Sequence, residues 1–504
     1  MIPGTALGVL AGDAVFTWMA FRLATRTGRN SITAMPLGLD TPSTFGMVFF
    51  VLGPAFAAAK VRFPGDETAA AIWAWQIGAC AILISGLFKI ACAAAAGWVR
   101  RAVPRAGLLG SLTAIALVLI SFLPLLEIVA HPLVGMLSLA IILVSLVARV
   151  ELPGRLPGAL VALVAGGSIY YLMLWSGSLS HPPGHVAAPA GTAGLMLPRL
   201  LIPSWEVWRA SLAYLPVVLP FALATVVGGI DCTESAAAAG DEYDTRAVIF
   251  VEGAATIIAG LFGGVIQTTP YIGHPAYKAM GGRAAYTLAT ALFIGCLGFS
   301  GLFTQVYEYI PQGAIFPILI FVGLEITAQS FHATPNRHYP AVALACVPAM
   351  AYLVAMFTDT VASAGQLTWD EVGPDASPSL QKLSHQMLTL RILSNGFIVT
   401  SLLWGAALAA MIDRRLRAAA ACFAIAAACS LFGVMHSPLP GGQLLLPWAL
   451  KNPLPAAAAG QTPYHLAAAY AAVALLLLAW SLIVKPSQDE CMDEEVVSSP
   501  SALE

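Results

Sequence analysis

Charged residues are too scarce in this chain for it to fold as ordinary water-soluble domains. Only 10% of the 504 residues are Asp, Glu, Lys or Arg, whereas about 25% is typical of soluble domains. The hydrophobic share is 59% and the mean hydropathy is +0.81. Long apolar segments recur from end to end, and at ~20 residues per crossing they predict about fifteen membrane-spanning helices. Composition therefore predicts an all-α polytopic membrane protein.

Charge and motif content exclude several classes of function. The formal net charge of −2 leaves no basic surface for nucleic acid. None of the eight cysteines forms a CxxC pair, and the sequence contains no zinc-ligand spacing, phosphate-binding glycine loop or nucleophile elbow. We therefore expect no enzyme activity, no catalytic residue, no metal site and no cofactor, apart from a coupling H⁺ or Na⁺.

Loop charges predict the topology. Arginines cluster after alternate predicted helices, for example within 22–29, 100–105 and 414–417, and the loops between are acidic, mixed or neutral. By the positive-inside rule, the C-terminus is cytoplasmic and Met1 lies outside, in a multi-pass protein of the cell's inner (plasma) membrane. An outside start without a signal peptide is unusual. We therefore expect a longer reading frame with one more N-terminal helix; the alternative is that this helix has been lost.

Two predicted membrane segments, 33–46 and 267–283, are interrupted by proline, glycine, hydroxyl and ionisable residues. A regular helix of this composition would expose unpaired backbone groups, which survive in a membrane only where they line a cavity. One segment lies early in each half of the chain, and paired interruptions of this kind indicate a transporter built from inverted repeats. We expect the two segments to meet, each with a short extended stretch before a half-helix. The alternative is two kinked or re-entrant helices without a ligand.

Intramembrane carboxylates are the other candidates for function. Asp231 and Glu234 are three residues apart, hence on one helical face, and an embedded carboxylate is a functional candidate by default. Alternatively the helix ends early and Glu234 lies in interfacial water. Glu325 is expected near a helix end in a structural role, and Asp13 and Glu252 are expected to be core polar residues.

These features together resemble the xanthine/uracil permease superfamily, also called nucleobase–ascorbate transporters, as a divergent bacterial-type member. The resemblance covers roughly residues 5–357. The matching stretches are 33–45, Glu234-Ser235, Gly240-Asp241, 252–256, 260–264 and 268–272. It implies a seven-plus-seven inverted-repeat transporter with two broken helices that carry short strands. In this chain the first helix would be missing and about two C-terminal helices would be additional.

The resemblance also implies a substrate site. Glu234 corresponds to a carboxylate that hydrogen-bonds the nucleobase and, with Asp231, is the candidate for ion coupling. The other implied substrate-binding residues lie on the two broken segments: Ser43, Thr44, Phe45, Tyr271, Gly273 and His274. Two positions depart from the family, since Gly273 replaces a Glu or Gln of many relatives and Ala238 replaces a polar residue.

The resemblance also divides the chain into a substrate-carrying core and a gate or scaffold. The implied segments are 1–105 and 207–306 for the core helices of the two repeats, 106–176 and 307–412 for the gate helices, 177–206 for an extracytoplasmic connector, 413–484 for the additional helices and 485–504 for a cytoplasmic tail.

The function expected from the sequence is secondary active transport of a nucleobase-like solute of the xanthine, uracil or purine class, as cation-coupled symport. Two alternatives stay open: an inorganic or small organic anion transporter on the same architecture, resembling sulfate permeases, and a membrane receptor that does not transport. The expected partners are the small-molecule substrate and the lipid bilayer, and a homodimer is compatible with this class.

Overall fold

A computed structural model describes residues 1–94, 105–178, 194–271, 274–279, 281–302, 309–332, 334–364, 377–438 and 463–483. The predicted tail 485–504 and half of the predicted connector, residues 179–193, lie outside this part of the chain.

Helices dominate the described residues. The α-helices are α1 Ile2–Thr27, α2 Thr41–Gly46, α3 Gly53–Arg62, α4 Glu67–Ala94, α5 Arg105–Ile115, α6 Phe122–Ala130, α7 Pro132–Ile142, α8 Gly158–Trp175, α9 Trp205–Ser211, α10 Leu215–Ala238, α11 Thr245–Leu261, α12 His274–Ala279, α13 Tyr286–Phe299, α14 Gln312–His332, α15 Tyr339–Ala364, α16 Pro378–Ser394, α17 Phe397–Ile412, α18 Leu416–Leu431 and α19 Pro463–Ile483. Single π-helical turns at Met47–Leu52 and Ala116–Ser121 join α2 to α3 and α5 to α6.

Within the described ranges, nine helices are long and apolar enough to cross a membrane. A tenth span results if α16 and α17, which are bent by 70° at their junction, count as one. The chain is therefore an all-α polytopic membrane protein, as composition predicted. The bend lies at Gly396, which has φ 72 and on which a Cβ would lie 2.3 Å from the carbonyl oxygen of Val434.

The two interrupted segments form the extended stretches that the sequence predicted. The first contains β1 (Leu37–Leu39) and the second contains β2 (Thr268–Pro270). The strands pair antiparallel, and the register aligns Leu37 with Pro270, Gly38 with Thr269, and Leu39 with Thr268. A helix follows each strand, α2 after β1 and α12 after β2. The prediction that the segments meet is confirmed.

Contacts divide the chain into two compact units. The first consists of residues 1–103 and 115–328, and the second of residues 104–114 and 329–504. In the first unit, α1 packs against α11 and α13, and α4 packs against α3, α10 and α11. In the second unit, α15 packs against α16 and α17, and α17 to α19 pack in succession.

Helices α4 and α11 pack backbone to backbone. A Cβ on Gly86 would lie 2.9 Å from the carbonyl oxygen of Gly253, and a Cβ on Gly253 would lie 3.0 Å from that of Gly86. Small residues permit such close approach between membrane helices. The contact brings Lys89 of α4 within reach of Glu252 of α11.

Candidate functional site

The candidate site is the crossing of the two broken segments, which we define as strands β1 and β2 with the residues that flank them. Beyond the paired strands, the Asp40 N–H donates to the Gln267 carbonyl at 3.1 Å. At the other end, the Tyr271 N–H donates to the Pro36 carbonyl at 2.8 Å. The crossing thus satisfies backbone groups that a bilayer could not satisfy.

Side chains from three helices cover the outer edges of the crossing. Every second residue of an antiparallel pair turns its backbone N–H and C=O away from the partner strand. On the β1 edge, the Leu37 N–H donates to Asp13 Oδ1 at 3.1 Å. On the β2 edge, the Thr268 N–H donates to Thr256 Oγ1 at 3.4 Å, and Lys89 Nζ donates to the Thr268 carbonyl at 2.9 Å. Each polar side chain therefore compensates for a missing strand neighbour.

Lys89 also forms an ion pair with Glu252. Its Nζ lies 2.9 Å from Glu252 Oε1, and both side chains have 0% exposure. Asp40, at the end of β1, is close enough to interact electrostatically with both. A buried charge without its counter-ion is strongly destabilising. Removing either side chain alone is therefore expected to destabilise the protein.

Because Gly229 of α10 has no side chain, the Glu252 carboxylate can pack directly against the backbone of α10. A Cβ on Gly229 would lie 2.7 Å from Glu252 Oε2 and 2.6 Å from Ile249 Cδ1. A Cβ on the neighbouring Gly228 would have no atom within 4 Å. The two glycines thus make a matched pair for testing the packing around the ion pair.

Gly229→Ala is expected to destabilise the protein by about 1–3 kcal/mol, the usual cost of overpacking a core. Gly228→Ala is expected to be neutral or stabilising by up to about 1 kcal/mol, because alanine is the better helix former. Thermal unfolding of both variants in one detergent measures the difference. Equal effects would contradict the close packing of α10 against Glu252.

The predicted contacts Ser43 and Thr44 lie in the first turn of α2, and Asp40 caps this helix. Asp40 Oδ2 accepts from the Ser43 N–H at 2.8 Å, as expected of an N-cap aspartate. The Ser43 and Thr44 hydroxyls donate to the Asp40 carbonyl at 3.3 and 2.7 Å. Ser43 is buried. In this arrangement both hydroxyls donate their protons to the Asp40 carbonyl and not to a substrate. The Asp40 carboxylate lies at the N-terminus of α2.

The predicted aromatic contacts flank the crossing. Phe45 is half-buried and stacks on Phe49, with ring centroids 6.1 Å apart. Tyr271, directly after β2, is 52% exposed and makes an edge contact with Tyr277. Glu325 of α14, expected at a helix end in a structural role, is close enough to interact electrostatically with Tyr271. The crossing therefore has a half-exposed aromatic ring with a carboxylate nearby.

Three predicted site residues cannot be placed in full. The side chains of Asp231 and Glu234 lie outside the described part of the structure, as does the whole of Gly273. The backbone of Asp231 and Glu234 belongs to α10, which contacts β2 where Cys232 Sγ lies 3.4 Å from the Pro270 carbonyl oxygen. The helix that carries both carboxylates therefore passes directly beside the crossing.

His274 lies in a buried junction with Asp241. Its Nε2 is 3.0 Å from Asp241 Oδ2, and both side chains have 0% exposure. The same carboxylate binds Lys278 Nζ at 2.6 Å and accepts from the Thr33 N–H at 3.1 Å. Burial alone would raise the pKa of Asp241, but the hydrogen bonds from Lys278 and His274 hold that pKa below its usual value. The imidazole predicted to contact substrate thus joins the loop after α10 to the start of α12.

Lys89 is the residue that sequence reasoning missed. It is an ionisable side chain deep in an apolar 28-residue helix, which is itself a sign of function or of a buried partner. A second omission is Gln267, which is fully buried before β2 and accepts from the Ser85 hydroxyl at 2.6 Å. In the described ranges, no group of three or more His, Cys, Asp or Glu side chains could hold a metal ion.

Comparison with known proteins gives structural matches only. No family model matches the chain, and no curated protein matches it. The transmembrane domain of the cyanobacterium bicarbonate transporter BicA is similar, with 15% identity, 80% of this chain and 96% of that chain covered, and a TM-score of 0.44. The structure of SLC26A9 is also similar, with 13% identity, coverage of 70% and 62%, and a TM-score of 0.46. The assignment to the xanthine/uracil permease superfamily stays a prediction.

Proposed function

We propose that this protein is a secondary active transporter whose substrate binds at the crossing of β1 and β2. The observation that carries the proposal is the antiparallel pairing of two interrupted segments in a chain of membrane-length helices. Non-helical backbone at membrane depth is tolerated only where it is buried in protein or lines a cavity. Paired broken helices of this kind surround the central ligand in transporters.

The charges around the crossing favour coupling to a cation. Among the described side chains there, Asp40 and Glu252 are acidic, and Lys89 is the basic residue that interacts with both. Asp13 adds a third carboxylate on the β1 edge. An excess of buried carboxylates is costly unless a cation or proton neutralises it. A proton or alkali cation entering with the substrate would do so.

A nucleobase-like substrate is favoured by the aromatic side chains. Tyr271 offers a half-exposed ring on which a planar solute could stack, and Phe45 lies in α2, the short helix that follows the opposing strand. Glu234, carried by the helix beside β2, would accept N–H groups from the edge of the base. In this proposal Asp231 and Glu234 also carry the coupling.

A small anion is the second candidate substrate. Lys89 supplies a buried cation against β2, and Gly273 brings no side chain that would exclude an anion. The Asp40 carboxylate at the N-terminus of α2 opposes this candidate, because it occupies the end of the helix dipole that would attract an anion. The charged side chains beside β1 and β2 therefore do not favour the same substrate class: Lys89 favours an anion, and Asp40 opposes one.

The test is uptake by the purified protein in proteoliposomes. Labelled purines, pyrimidines, bicarbonate and sulfate are supplied with an imposed proton gradient, a sodium gradient or neither. We expect concentrative uptake of one substrate class, competed by unlabelled members of that class, and none in empty liposomes. A folded, correctly inserted protein that takes up none of them under any gradient would contradict transport of these solutes and favour the receptor alternative.

A further inference from the structure

The ammonium group of Lys89 lies among oxygens of three chemical kinds. The Glu252 carboxylate oxygen Oε1 and the Thr268 carbonyl oxygen are each 2.9 Å from Nζ. The Thr256 hydroxyl oxygen is 3.5 Å away. Carboxylate, carbonyl and hydroxyl oxygens are the ligands that hard cations select in proteins. The surroundings of Nζ therefore have the composition of a cation site.

The Thr256 and Thr268 hydroxyls are held beside the Glu252 backbone by hydrogen bonds that do not involve Lys89. The Thr256 hydroxyl donates to the Glu252 backbone carbonyl at 2.9 Å, and it lies 2.9 Å from the Thr268 hydroxyl. The Thr268 hydroxyl in turn lies 3.3 Å from the Glu252 backbone carbonyl. One helical turn of α11 and the first residue of β2 thus form a connected oxygen cluster. Removing the ammonium would leave that cluster without its positive charge.

Lys89 itself comes from a different helix and is buried completely. Its side chain has 0% exposure, and its Nζ lies within 3.5 Å of oxygens from Glu252, Thr256 and Thr268. The Lys89 ammonium therefore lies where a bound monovalent cation would lie among the same oxygens.

We propose that the Lys89 ammonium permanently occupies a monovalent-cation site formed by Glu252, Thr256 and the Thr268 carbonyl, so that the protein binds no Na⁺ there. Removing the side chain would convert the cluster into a Na⁺ site. The consequence for coupling rests on the proposed transport function: uptake would not require Na⁺ at this cluster, and any coupling cation would have to bind elsewhere in the protein.

The experiment compares purified wild type with Lys89→Ala in sodium chloride and in choline chloride of equal ionic strength. Choline is too large to enter the vacated space. We expect the thermal midpoint of Lys89→Ala to be several degrees higher in sodium than in choline and to rise with the logarithm of sodium concentration, as for a ligand that binds only the folded state. Saturable binding of ²²Na⁺, on the order of one ion per chain, should accompany it. Wild type should show neither response.

A double variant, Lys89→Ala with Glu252→Gln, is the matched control, because it removes the carboxylate on which the cation would depend. We expect its sodium response to disappear. If Lys89→Ala does not fold in choline, the proposal requires sodium added during extraction to recover monodisperse protein. Failure to recover it, or folded Lys89→Ala that behaves alike in sodium and choline, would overturn the proposal.

The wild-type protein provides an independent test. Sodium-specific stabilisation of the wild type that Glu252→Gln abolishes would show that Na⁺ already binds at this cluster beside Lys89, and would also overturn the proposal. None of these measurements requires transport. A protein that takes up no solute but shows sodium binding only after Lys89→Ala would therefore refute the proposed function and leave this inference standing.

Discussion

Lys89→Met is expected to destabilise the protein by about 3–5 kcal/mol, the usual cost of leaving one partner of a buried ion pair without the other. Methionine keeps most of the volume of the lysine stem but removes the ammonium. The Glu252 carboxylate would then lie unpaired at 0% exposure, and the Thr268 carbonyl would lose its donor. Chemical or thermal unfolding in detergent micelles measures the change.

Two further variants separate the ion pair from the general loss of a positive charge. Lys382→Met removes an exposed lysine from α16 and is expected to change stability by less than about 0.5 kcal/mol. Lys89→Met combined with Glu252→Gln removes both charges and should recover a large part of the loss, since a neutral pair has no unpaired charge to bury. A double variant less stable than Lys89→Met alone would show that the two side chains do not act as a pair.

Glu234→Gln is expected to abolish concentrative uptake while the protein still inserts and folds. Glutamine keeps the shape and one acceptor oxygen but removes the charge and any proton exchange. Glu234→Ala is expected to weaken substrate binding as well, by about 1.5–3 kcal/mol, the size of a charge-assisted hydrogen bond. Uptake under an imposed gradient and equilibrium binding of the same labelled substrate measure the two effects.

The matched control for Glu234 is Glu242→Gln, which changes an exposed carboxylate in the loop that follows α10. This control is expected to transport like the wild type. Transport by Glu234→Gln at the wild-type rate under the same gradient would remove Glu234 from the site. Tyr271 and Glu325, which are close enough to interact electrostatically, would then be the next candidates for the substrate site.

Sequence reasoning succeeded for the crossing because its signal is local. Proline and glycine at the density of segments 33–46 and 267–283 exclude a regular helix, whatever surrounds them. Their corresponding positions in the two halves then predicted that they meet, and β1 and β2 do pair. The register could not be predicted, because it depends on Asp13, Thr256 and Lys89 reaching the outer edges from other helices.

Lys89 alone carries a local signal, but its pairing with Glu252 could not be predicted because the two residues are far apart in the sequence. A hydropathy window averages the single charge of Lys89 over a strongly apolar helix, and its partner Glu252 lies far away in the sequence. His274 illustrates the same limit. Its position on the broken segment predicted a contact with substrate, whereas in the structure its imidazole lies 3.0 Å from the Asp241 carboxylate. The pairing of buried ionisable side chains depends on how helices pack, and one sequence does not contain that information.

The contact between Gly86 and Gly253 restricts how the site can move. At this contact no side chain separates the two backbones, and the side chains of Ile257 and Ile90 pack directly against the two glycines, so that neither helix has room to slide along the other there. The Lys89–Glu252 pair and the bond to Thr268 tie β2 to the same two helices. We therefore expect any displacement that exposes the crossing first to one side of the bilayer and then to the other to carry α4, α11 and β2 together.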